Sequence, residues 1–280
     1  MSKLMETGPS PRGWHRLQNM LECPQKYSYR YNLDMEASIP AAALMKGSLT
    51  HLGLAHHYLR KQLEDQGKSK DEWLNPFEAM RLKAQQEPEF GEVLSGIEDA
   101  VDAYQRFWKD QDQKITILEV EKLAYAVIAD PVAKNEDGTP KEYLLTGRFD
   151  MVIEDEDGGV YVVDHKTTSR LTASHAKFYS MSGQLLGYEY MARRIYGDRL
   201  KGVILNLAQI RQPFKFRRIK LDPRPNLSAQ FEQTVIDAES LITQYSNRDP
   251  MHYPKAMNEL TCFHRYGACD YMDTCKFGIV

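Results

Sequence analysis

The chain has 280 residues, 42% of them hydrophobic and 27% charged, with a formal net charge of -3 and a pI of about 6.3. This composition suits a buried core and excludes both a disordered chain and a protein coated uniformly with positive charge, though not a local basic groove. Lys3, Glu6, Arg12, His15 and Arg16 break the N-terminal stretch with charge, and no apolar run approaches the roughly 20 residues that span a bilayer. The expectation is an intracellular protein with no membrane segment.

Residues 10–31 begin with Ser-Pro and carry Trp14, Leu17, Met20 and Leu21 at helical spacing, which predicts a helix that delivers Cys23. Pro40 opens a longer helix, Ala41 to about Gln66, with Gly67 as its stop. Two more helical stretches follow near 75–87 and 90–111. From Ile115 to Ile128 the chain turns β-branched and partly alternating, which predicts a strand. Residues 143–153 and 159–166 read as two further strands joined across Glu-Asp-Glu-Asp-Gly-Gly as a hairpin. A helix over 182–196 ends near Gly197, strands follow over 200–210 and 214–221, then a helix over about 226–246 and a loop-rich tail after Pro250. The plan is one α/β domain over 1–280: a helical N-terminal part (10–113), a sheet core (114–247) and a cysteine tail (250–280).

Asp150 closes Gly-Arg-Phe-Asp, and Asp164, His165 and Lys166 end the apolar strand that follows it. Side chains alternate across a strand, so Asp164 and Lys166 share one face and His165 points to the other. Across the hairpin Asp150 can approach that shared face. Two carboxylates would be hard oxygen ligands for magnesium or manganese, and the ammonium could orient water or neutralise charge on a phosphodiester. A surface ion pair would leave the same tripeptide pattern. His51 shares a helix face with Leu44, Gly47, Ala55 and Tyr58, which suits either a hydrogen-bonded core histidine or a metal ligand. His56 and His57 read as structural. Gln184 and Tyr188, four residues apart, lie on one helix face and could reach a phosphate or brace Lys166. Glu119 and Glu121 share a strand face, and pattern does not separate them.

Gly-x-x-Asp, a hairpin and Val-Val-Asp-His-Lys-Thr together resemble the RecB-like branch of the PD-(D/E)XK nucleases, which includes the AddB nuclease domain, the CRISPR adaptation nucleases and phage-type exonucleases. Gly47-Ser-Leu-Thr-His51 looks like the early Gly-x-x-x-His motif of that branch, and Gln184-Leu-Leu-Gly-Tyr188 matches its Gln-x-x-x-Tyr motif. The resemblance implies a restriction-endonuclease-like mixed sheet flanked by helices. It implies Asp150, Asp164, Lys166, Gln184 and Tyr188 as catalytic residues, and a Mg2+ or Mn2+ ion held by His51, Asp150, Asp164, the backbone carbonyl of His165 and Glu121. The implied activity is that of a DNA exonuclease on single strands or free ends in recombination, repair or phage DNA processing, with a helicase or recombination protein as partner. The alternatives are a structure-specific endonuclease and a non-catalytic DNA-binding or assembly subunit that keeps the fold.

Cys23, Cys262, Cys269 and Cys275 are the only cysteines. In a reducing compartment, four thiolates gathered at the two ends suggest metal ligation over disulfides, with zinc and an iron-sulfur cluster both possible. In the resembled branch this layout holds a 4Fe-4S cluster that staples the termini, although there two of the C-terminal cysteines are separated by two residues before the five-residue gap, whereas here Cys262 lies further back. Two segments interleave cations with aromatics, Lys26–Tyr31 and Pro213–Lys220. Each fits contact with a single strand; core packing explains the first equally well, and a two-sided strand with a solvated basic face explains the second.

Overall fold

In the computed structural model, which describes residues 2–35, 42–264 and 267–278, the first expected helix is two. α1 (Trp14–Glu22) stops at Cys23, whose backbone is extended at φ -161° and ψ 102°. Pro24 then opens α2 (Pro24–Tyr31). A proline has no N–H to donate back into a preceding turn but is suited to a first turn, so one apolar stripe is cut at this point. Next comes α3 (Ala42–Asp65), followed by Gly67 at φ +64°. Pro40 and Ala41, where that helix was expected to open, lie outside the described residues, as do residues 265, 266, 279 and 280 of the tail.

Asn75 caps α4 (Pro76–Gln86): its side chain accepts from the N–H groups of Phe77 and Glu78, and the Glu78 carboxylate accepts from Asn75 N–H. After α5 (Gly91–Asp112) the chain enters β1 (Thr116–Lys134) and β2 (Pro140–Glu154), both longer than their apolar alternation predicts. Then follow β3 (Val160–Thr168), a short α6 (His175–Tyr179), α7 (Gly183–Tyr196), β4 (Leu200–Gln209), β5 (Lys215–Leu221) and α8 (Pro225–Tyr245). The tail expected to be loop holds α9 (Glu259–Cys262), the paired β6 (Phe263–His264) and β7 (Gly267–Ala268), and α10 (Met272–Phe277).

The five long strands form one sheet in the order β1-β2-β3-β4-β5. β2/β3 and β4/β5 are antiparallel, whereas β3/β4 is parallel because α6 and α7 carry the chain back across the sheet. The element order predicts an α/β chain around one sheet, and the strand directions make it the mixed sheet with flanking helices that the resemblance implies. By contact the chain divides into two compact units: Met1–Ser10, Ala41–Ala126 and Thr146–Ser228 in one, Pro11–Pro40, Val127–Leu145 and Ala229–Val280 in the other.

In the first unit one sheet face buries Met151, Ile153, Val163, Ile204 and Ala208 against Leu54 and Tyr58 of α3 and Tyr104 and Trp108 of α5. Each such large apolar side chain contributes about 1.5–3 kcal/mol on burial. The other face packs α7 against β3 and β4. In the second unit Met20, Tyr27 and Tyr253 make a smaller core, and Arg16 holds both carboxylate oxygens of Glu239. Among the described residues no helix is long and apolar enough to cross a membrane.

Candidate active site

The antiparallel register of β2 with β3 runs from Glu154↔Val160 to Met151↔Val163. One residue further, a side chain replaces the ladder: Asp150 Oδ2 accepts the His165 N–H at 2.6 Å. That bond ties the two halves of the motif together. Asp164, fully buried, and Lys166 project from the same face of β3, with Lys166 Nζ 2.9 Å from Asp164 Oδ1 and 2.8 Å from Oδ2. Oδ2, although in ion-pair contact, takes no well-aligned hydrogen bond and is a buried oxygen with spare capacity.

Gln184 and Tyr188, four apart on α7, complete a wall. Gln184 Oε1 accepts from Lys166 Nζ at 3.0 Å, and Gln184 Nε2 donates to the Tyr188 hydroxyl at 3.0 Å. Of the two roles their spacing permits, the structure forms the brace on Lys166. Gly147 leaves room for this wall, since a Cβ there would stand 3.1 Å from Tyr188 Cε1 and 2.3 Å from Met191 Cε.

His51, on α3, brings Nδ1 to 3.5 Å from Asp150 Oδ2. Glu121, at a left-handed kink in β1 (φ +49°), is near enough for the charges of Asp150 and His51 to act on it, whereas Glu119 pairs with Lys122. Alternation along a strand cannot anticipate such a kink, which is why the two acids looked equivalent. His165 sends its ring to the opposite face, as the strand period requires. It stacks on Tyr58 with ring centroids 5.8 Å apart, and Nδ1 lies 2.6 Å from the Asn206 amide nitrogen. His56 is saturated, with Nε2 accepting from Met5 N–H and Nδ1 bonded to the Leu74 carbonyl.

Burial and mutual charge set the protonation of this group. Burial raises the Asp164 pKa, and the Asp150 charge raises it further against the pull of Lys166. For Asp150 burial acts upward but His51 and Lys166 outweigh it, so its pKa falls well below the carboxylate range. Burial lowers Lys166, yet Asp164 and Asp150 more than offset this and keep the ammonium charged. Burial, helped by Asp150, pushes Glu121 up to about 8. Burial brings His165 down to about 3, so its ring is neutral.

Sequence reasoning missed the polar chain behind His165. Asn206 bonds the Tyr104 hydroxyl at 2.6 Å, and Tyr104 and Tyr58 share a 2.8 Å hydrogen bond. Arg218 reaches Tyr58 at 2.7 Å and pairs with Asp112 at 2.6 Å. The available signal was Asn206 itself, a polar residue inside the apolar run Val203-Ile-Leu-Asn-Leu-Ala.

Hard carboxylates beside an imidazole, with the spare buried oxygen of Asp164, suit a divalent cation, and Mg2+ asks a protein for only one or two carboxylates. Among the described residues, however, no three of His, Cys, Asp or Glu stand together in a metal-holding group. The same holds for the cysteines, all of which are free thiols. Burial raises the Cys275 pKa, and Cys23 and Cys269 are near enough to add to it against Lys255 and Tyr29. Cys262 meets Cys269 through a 2.8 Å backbone hydrogen bond. The soft donors needed for a cluster are therefore neighbours in one unit, without the geometry of a formed site.

The sequence profile of the PD-(D/E)XK nuclease superfamily matches residues 14–276. No curated protein matches the chain. Among solved structures, one described as a "Putative exonuclease" from Eubacterium rectale superposes with a TM-score of 0.51 at 11% identity, covering 96% of this chain and 88% of that one. The structure of SSO0001 aligns over 81% of this chain and 86% of its own at 14% identity, with a TM-score of 0.33.

Proposed function

Because the chain belongs to the PD-(D/E)XK nuclease superfamily, we propose that it hydrolyses DNA phosphodiester bonds as an exonuclease on single strands or free ends, at a centre built on Asp150, Asp164 and Lys166. The observation that carries this reading is the braced lysine: Lys166 lies within 3.0 Å of both Asp164 and Gln184 at the end of β3. A surface ion pair would have neither the burial nor the second partner. Asp150 and Asp164, with the His165 carbonyl, His51 and Glu121, are the groups that would hold Mg2+ or Mn2+. When bound, the ion supplies Lewis-acid polarisation of the phosphate.

The chain's own contribution is positional. An ammonium has three hydrogens, and Asp164 and Gln184 take two of them, so one remains for a phosphate oxygen or the attacking water. Its raised pKa keeps Lys166 a charged donor at neutral pH, suited to stabilising developing negative charge rather than to accepting a proton. Asp150, anchored on the His165 N–H, fixes the spacing of the two carboxylates. For the cysteines we propose a 4Fe-4S cluster, with zinc as the alternative.

End-labelled single- and double-stranded DNA incubated with the protein in Mg2+, Mn2+ and Ca2+ tests the activity. Nucleotides released from labelled ends support an exonuclease, whereas nicking of a covalently closed circle identifies an endonuclease. DNA binding with no cleavage in any ion would replace both with a non-catalytic subunit.

A further inference from the structure

β5 is the last strand of the sheet, and its alternation sorts its basic residues into two kinds. Arg218 and Lys220 point to the α3/α5 side and are neutralised, by Asp112 and Asp155 respectively. Lys215 and Arg217 point to the other side, exposed, and no carboxylate is paired with either among the described residues. That side carries the proposed centre: Lys166, Leu207 and Arg217 stand in one row across three strands, and Thr168, Gln209 and Lys215 in the next. With strands about 4.8 Å apart, Arg217 lies about 10 Å from Lys166 along the sheet.

Two adjoining grooves run along this edge. One, of about 440 Å³, is lined by Phe107, Phe214 and Phe216 beside Lys215 and Arg217. The other, of about 610 Å³, holds Arg170 and Arg211 and shares Lys215 with the first. Arg170 and Arg211 are also exposed and without a carboxylate partner among the described residues. The Phe107 ring, though it touches Trp108 and Phe216, stays 56% exposed. By the same alternation Phe216, and Phe107 against it, face the α3/α5 side and Phe214 is half-buried, so cations and rings flank the two sides of one open edge. Unneutralised cations track a phosphate backbone, and a ring open to solvent offers stacking that only unpaired bases can use.

We propose that this edge is a binding site for a single strand of nucleic acid, with phosphates on Arg170, Arg211, Lys215 and Arg217 and bases against Phe107 and Phe214, from which the strand continues toward Lys166. The direction toward Lys166 rests on the nuclease reading above, while the binding itself does not.

The test is fluorescence anisotropy of labelled oligothymidylate and of a blunt hairpin duplex with the full chain in EDTA, where cleavage plays no part. Lys215→Gln/Arg217→Gln should weaken oligothymidylate binding and flatten log K against log salt by about 1.4, two contacts at about 0.7 each. Phe107→Ala/Phe214→Ala should weaken it by roughly tenfold or more per lost stack and leave duplex binding unchanged. Lys215→Arg/Arg217→Lys and Phe214→Tyr, which keep charge and ring, should retain the parent affinity. Parent affinity and salt slope in both disruptive variants, or equal losses on duplex and single strand, would overturn the site. Hydrolysis of a small chromogenic phosphodiester should proceed in these variants at the parent rate. If the parent hydrolyses neither DNA nor that ester, the nuclease reading fails while the anisotropy result still judges this edge.

Discussion

At the scale of single residues, the candidate site is a set of charges whose worth depends on what holds them. Lys166 is fixed by Gln184, Gln184 by Tyr188, and Asp150 by a backbone N–H, so the geometry persists without relying on flexible surface pairing. The Arg218–Asp112 pair behind the sheet follows the same logic, with side chains only 15% and 5% exposed. Asp112→Ala leaves a buried guanidinium without its counter-ion, and urea denaturation should show a loss of about 3–5 kcal/mol; a loss within about 0.5 kcal/mol would place the pair among ordinary surface contacts. His57 gives a pH signature. Burial, opposed by Asp112 and assisted by Lys61 and Arg218, lowers its pKa from 6.5 to about 4. Between those values the unfolded chain binds a proton that the folded chain refuses, so this histidine's contribution to stability is lost as pH falls from 6.5 toward 4. In denaturation series over that window the parent should lose more stability than His57→Gln, and parallel curves would contradict the assignment.

At the scale of elements, Gly202 shows what the fold demands of one position. It sits at the register shift where β3 meets β4, at φ +140°, and a Cβ there would lie 2.3 Å from the Leu221 carbonyl oxygen. Gly202→Ala should cost more than about 3 kcal/mol, seen as a lower denaturation midpoint, because a backbone atom cannot swing aside as a side-chain tip can. A midpoint equal to the parent's would mean that β4 and β5 are not this close. Helix and strand types were legible in the sequence wherever one face is apolar, from α3 to β5 apart from the short α6, since burial imposes the period. The extension of β1 to Lys134 was not, because Asp130-Pro131 is a turn signal; β1 is an edge strand, where a proline costs no ladder bond. The site was legible as far as local spacing reaches, through Asp164/Lys166 and Gln184/Tyr188. The different surroundings of Glu119, paired with Lys122, and Glu121, near Asp150, go with a backbone kink, and the Asn206, Tyr104 and Arg218 chain rests on contacts between distant segments, neither of which leaves a periodic trace.

At the scale of the whole molecule, two chemistries separate. The hard donors around Asp150 and Asp164 belong to the sheet unit, and the four cysteines all belong to the other. If those thiols hold a 4Fe-4S cluster, purified protein is brown with broad visible absorbance, and Cys275→Ala loses both the colour and several degrees of thermal stability; a colourless protein with stoichiometric zinc would establish the alternative. On the proposed function, phosphodiester cleavage depends on Asp164. Its most direct test is single-turnover digestion of end-labelled DNA in Mn2+ by the parent and by Asp164→Asn, with DNA binding measured alongside. The parent should digest the substrate while Asp164→Asn binds it and cleaves at least about 100-fold more slowly. Cleavage by Asp164→Asn at the parent's rate would mean that the chemistry lies elsewhere.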